Sequence, residues 1–130
     1  MILLALSIAP AVAIILYILA KDKYNREPFK NLFLSFLLGA LSTIPAVIIQ
    51  LFLTSALNLF SGGAGILHYF LLAFFVVGIS EEGSKMFMLK RYAYQQPAFD
   101  EPLDGIIYGV MVAMGFATVE NIMYVYQHGF

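Results

Sequence analysis

Cysteine is absent from this chain of 130 residues, and histidine occurs only twice. Without cysteine there is no disulfide framework, no thiolate metal site and no cysteine nucleophile. A metal would have to be held by carboxylates and imidazole, donors that suit a divalent ion such as zinc. Charge is scarce as well: 12% of residues are charged and the formal net charge is −1. So even a balance exerts no general pull on nucleic acid, which is left out as a partner. Internal repeats and low-complexity tracts are also lacking.

What the chain has is apolar surface. Hydrophobic residues make up 62% of it, with a mean hydropathy of +0.87. A soluble domain is about half apolar and about a quarter charged, and one this short has too small a core to hide the excess. The lipid bilayer is therefore part of the solvent. A spanning helix needs about 20 mostly apolar residues, and such stretches occupy 1–20, 29–53, 66–89 and 104–126. The expected fold is all-α: a single transmembrane domain, a polytopic helical bundle of about four spans.

The first stretch is followed by Lys21, Lys23 and Arg26. Secretory signals carry their positive charge before the apolar run, so this one reads as a retained helix. Pro45 predicts a kink in the second stretch. Gln50, near the end of that stretch, reads as a helix–helix hydrogen bond. Ser61-Gly62-Gly63-Ala64-Gly65 is a loop signal. Lys and Arg outside the spans fall in the first and third connections. The positive-inside rule then predicts a multi-pass protein of a cell membrane with both ends outside the cytoplasm.

Charges inside the spans need a reason. Ser80-Glu81-Glu82-Gly83-Ser84-Lys85 lies in the third stretch, and Glu120-Asn121 in the fourth. Each ionisable group at bilayer depth costs about 2.5–3.5 kcal/mol on insertion scales, and adjacent carboxylates raise each other's pKa. A structural pair explains part of this, since Lys85 is spaced to reach Glu81 or Glu82. One glutamate of the pair, and Glu120, are left over. Intramembrane ionisable residues point to function by default.

On a helix, Gly109, Ala113, Phe116 and Glu120 fall within about 60° of one another. Gly105, Gly109 and Ala113 form a small-residue series that lets a neighbour approach. Glu120 is thus expected to face protein, with the third and fourth spans meeting around a polar pocket. Depth fits imperfectly: Lys90 to Glu81 is about 13 Å of helix, and Asp104 to Glu120 about 24 Å. The fourth helix is therefore expected to start outside the hydrocarbon, to tilt or to break. In chemical terms, a carboxylate pair in a low-dielectric pocket can share a proton and leave one member as a base. Carboxylates with histidine can instead hold a metal that acidifies water. Asn121 can donate to an oxyanion or tie helices together.

Taken in order, Glu81-Glu82-x-x-Lys85, Asp104-Gly105-x-x-Tyr108-Gly109 and Gly115-Phe116-Ala117-x-x-Glu120-Asn121-x-x-Tyr124 resemble the PrsW family of membrane proteases, relatives of the CAAX prenyl proteases and bacteriocin-processing enzymes. The likeness covers about residues 79–129. It implies a proteolytic role with Glu81, Glu82 and Glu120 as catalytic carboxylates and Lys85, Asn121 and Asp104 in support. It also implies a bacterial inner membrane, single-span substrates such as an anti-sigma factor, and stress signalling. A metal-dependent and a glutamate-only mechanism both remain open, as does self-association. The family's later His-x-x-x-His motif is missing; His68 and His128 read as interfacial side chains. The chain is accordingly expected to be an N-terminal fragment, inactive by itself. Two other readings compete: a proton- or ion-coupled membrane protein, and a scaffold that keeps the charges as structural pairs.

Overall fold

A computed structural model describes residues 2–22, 26–63 and 65–128, without the side chains of Ile2, Ser61 and His128. Lys23, Tyr24 and Asn25 of the basic segment, Ala64 of the glycine loop, and the side chain of His128 lie outside the described residues. Among those described, helices dominate and four are long and apolar enough to cross a membrane. Side chains such as Leu16, Phe52, Phe74 and Phe87 are exposed on their outer faces. Such a surface suits hydrocarbon, and the chain is a multi-pass membrane protein.

The first span is α1, Ile2–Lys21, which accommodates Pro10 without a break. The second is two helices, α2 at Phe29–Leu41 and α3 at Thr43–Ser61, joined at Ser42. Pro45 is the cause: its ring has no N–H and crowds the carbonyl one turn back. In hydrocarbon, side-chain hydroxyls supply extra donors to backbone carbonyls beside such a break. Ser42 Oγ donates to the Gly39 carbonyl at 2.6 Å and Thr43 Oγ1 to that of Ala40 at 2.8 Å. The kink thus falls just before the proline, closed by two buried hydroxyls.

The third span runs through α4, Ile66–Leu71, a π-helical segment at Leu72–Gly78, and α5, Ile79–Arg91. A π segment re-phases the helix that follows it, and such segments gather at functional sites. Here it directly precedes the two glutamates. A 3₁₀ turn, Ala93–Gln95, leads to α6, Pro102–His128. Proline suits the first helical position of α6. Two residues on, Asp104 accepts the backbone N–H groups of Asp100 at 2.9 Å and Glu101 at 2.7 Å. These donors have no partner inside a helix, so the carboxylate caps its start.

α6 packs chiefly on α2 and α1, whereas α3 packs on α5. The spans were expected to approach along Gly105, Gly109 and Ala113, between the third and fourth. The close approach is elsewhere. A Cβ on Gly39 would lie 2.0 Å from the Val112 carbonyl oxygen, and one on Gly115 would lie 2.0 Å from that of Phe36. A Cβ on Gly109 would meet nothing within 4 Å. The reason is which face of α6 meets α2: backbone touches backbone there, and the third span meets α6 more loosely.

Gly39→Ala and Gly115→Ala should each lower unfolding free energy by about 2–3 kcal/mol, the scale of overpacking. Gly109→Ala should stay within about 0.5 kcal/mol. Denaturant titration in detergent checks the contrast, and equal losses at all three positions would refute the packing described.

Candidate active site

Adjacent helical residues point about 100° apart, so Glu81 and Glu82 on α5 do not share a site. Glu81 turns toward α3 and α6, is half-buried, and accepts a hydrogen bond from Gln50 Nε2 at 3.2 Å. Glu120 on α6 is also half-buried. Both line a pocket of about 160 Å³ with Thr43, Ala46, Gln50, Phe116 and Tyr124. The charged groups acting on Glu120 are Glu81 and Lys85. A carboxylate pair is therefore present, formed across two helices rather than by sequence neighbours.

Glu82 faces the other way. Its side chain is 76% exposed, beside a groove lined by Gly83, Met86, Gly109 and Ala113. Lys85 links the two sides: its Nζ is 2.6 Å from Glu82 Oε1 and 4.7 Å from the centre of the buried Phe116 ring. The ammonium thus has an anion on one side and an aromatic face on the other, which offsets part of its desolvation. The depth mismatch persists: α5 runs about 15 Å from Glu81 to Arg91, against about 27 Å from Pro102 to Glu120.

Other residues singled out by pattern sit apart from the pocket. Asn121 Nδ2 donates to the Ser7 carbonyl at 3.2 Å and ties α6 to α1. Asp104, 1% exposed, caps the start of α6. His68 is buried against Tyr69, with ring centres 5.4 Å apart, and lies about 20 Å along the helix from Glu81.

Gln50 makes the helix–helix hydrogen bond expected of it, and folding selects Glu81 as its partner. A second polar contact had no sequence signal. At the opposite end of α6, buried Glu27 accepts the Tyr108 hydroxyl and donates its backbone N–H to Asp22 Oδ2 at 3.2 Å. This closes the connection between α1 and α2 onto α6. Burial lifts the Glu27 carboxyl above its ordinary 4.5; the Tyr108 hydrogen bond opposes this, and nearby Asp104 and Asp22 add to it.

Glu81 and Glu120 supply two ligand side chains, while a catalytic zinc site uses three protein ligands. Among the described residues no three His, Cys, Asp or Glu side chains come together to hold a metal ion. The donor set of this segment does not by itself fit a catalytic metal.

The chain is similar in sequence to known membrane proteases. The family model described as PrsW family intramembrane metalloprotease matches residues 27–129. Protease PrsW of Bacillus subtilis (strain 168) is 39% identical over 98% of this chain and 55% of its own length. Protease PrsW of Geobacillus kaustophilus (strain HTA426) is 36% identical over 98% of this chain and 53% of its own. That of Oceanobacillus iheyensis is 38% identical with 98% and 55% covered. The chain spans about half the length of the curated relatives it matches. No solved structure matches.

A carboxyl raised in the folded state favours the fold while protonated. That stability is fully present below the ordinary value of 4.5 and is lost as pH rises through the folded value. The melting temperature in detergent should therefore fall with rising pH across that window. In Glu27→Gln the fall should flatten; an unchanged slope would refute the assignment.

Proposed function

Because the chain belongs to the PrsW family of intramembrane metalloproteases, we propose that it carries the carboxylate centre of an endopeptidase cutting membrane-anchored proteins within the bilayer. The supporting observation is that Glu81 and Glu120, from different helices, line one pocket. Amide hydrolysis needs a base for water and an acid for the departing nitrogen. Two carboxyls in a low-dielectric pocket divide those tasks, because both do not readily ionise together.

In this reading Glu81 is the base. It takes a proton from water as the water oxygen bonds to the substrate carbonyl carbon. Glu120 holds the shared proton and delivers it to the amide nitrogen as the carbon–nitrogen bond breaks. Glu82 fixes Lys85, whose positive charge balances the pair. Asn121 and Asp104 hold α6 in place. Substrates are single-span proteins such as an anti-sigma factor. The bacterial relatives favour a bacterial cell membrane, and the basic connections favour an extracytoplasmic N-terminus.

The test uses the longest natural form of the protein in liposomes with a panel of single-span peptides. Glu81→Gln and Glu120→Gln should each slow cleavage about 1,000-fold, within the range of acid–base catalysis, while helical content is retained. Cleavage at the parent rate by both variants would sink the carboxylate reading. A parallel arm with chelator reads any metal requirement: loss of cleavage, restored by zinc, would bring in ligands from outside this segment.

A further inference from the structure

Resting on the endopeptidase reading, we propose that Gln50 is a positioning residue that orients the Glu81 carboxylate for proton abstraction. Three observations support this. Gln50 is the only polar side chain between Ala46 and Leu53, in a stretch otherwise built for lipid. It lines the pocket that holds Glu81 and Glu120, and its Nε2 donates to Glu81 Oε1 at 3.2 Å. It comes from α3, which carries neither acid and packs on α5.

The chemistry follows from what an amide N–H can do. It donates only, so its partner oxygen must be an acceptor, which suits the ionised carboxylate. One oxygen held in this way stops rotation about the last carbon–carbon bond of Glu81 and leaves the second oxygen to receive the proton of water. Misorientation by about 1 Å is enough to cost about 100-fold in rate. The break at Ser42 is part of the device. Before it, α2 leans on α6; after it, α3 leans on α5, so one span braces both helices of the acid pair.

Gln50→Met keeps the length of the side chain and suits hydrocarbon but removes the donor. In the longest natural form of the protein it should lower kcat about 10- to 100-fold and leave KM within about threefold. Gln50→Asn, one carbon shorter, should fall nearly as far. Combined with Glu81→Gln, the Gln50→Met substitution should add nothing, because its effect passes through that carboxylate. A Gln50→Met protein with parental kcat, or with only a lowered melting temperature, would reduce Gln50 to a helix contact and overturn the proposal.

A second measurement needs no cleavage. The infrared carboxylate bands of Glu81, isolated by subtracting Glu81→Gln, should shift in the resting protein when Gln50 becomes Met. Unmoved bands would overturn the proposal on their own. If the parent protein cleaves no peptide in the panel, the endopeptidase reading fails while the band shift still decides whether Gln50 holds Glu81.

Discussion

The backbones of α2 and α6 touch at Gly39 and Gly115, where an added Cβ would fall 2.0 Å from a carbonyl oxygen of the other helix. Lipid tails are as apolar as the side chains they would replace, so helices in a bilayer associate through close packing and hydrogen bonds rather than water exclusion. Contact at this distance makes α6 the axis of the bundle. Around it the ends are pinned by polar groups: Glu27 and Tyr108 at one end, Asn121 and the Ser7 carbonyl further along. The face of α6 left free of α2 is the one that carries Glu120 into the pocket.

The second span completes the arrangement by being broken. A straight helix packed on α6 at Gly39 would continue alongside it. Pro45 lets the remainder swing to α5, and Ser42 and Thr43 satisfy carbonyls at the bend. The third span has its own irregularity, the π-helical segment that re-phases α5 just before Glu81. Two local departures from regular α-helix therefore flank the place where the acids meet. Strain and irregular turns in a bilayer persist only where surrounding contacts hold them, and here they shape the pocket.

Electrostatics divide the charged residues by side. Glu81 and Glu120 share the pocket, Glu82 lies on the opposite groove, and Lys85 stands between them over Phe116. A single lysine thus serves more than one carboxylate, which limits the burden of placing three acids at bilayer depth. Asp104 illustrates a different economy. It stands in the same series of motifs as Glu81 and Glu120, yet its bonds run to the backbone N–H groups that open α6.

By itself the sequence determined that this is a helical membrane protein, because apolar runs of spanning length leave a short chain no other solvent. It also singled out Glu81, Glu82, Lys85 and Glu120, since charge within such runs is costly wherever it points. The kink near Pro45 was legible for an equally local reason, a missing N–H. Tertiary structure decided which charges meet. Side-chain direction depends on helix phase, and a π segment and a proline break alter that phase in ways periodicity does not carry. Hence the adjacent pair Glu81 and Glu82 separated, Glu81 joined Glu120 from another helix, and Gln50 became its hydrogen-bond partner. The glycine seam shifted from Gly109 to Gly39 and Gly115 for the same reason: small residues permit close approach, but only packing selects which of them is used.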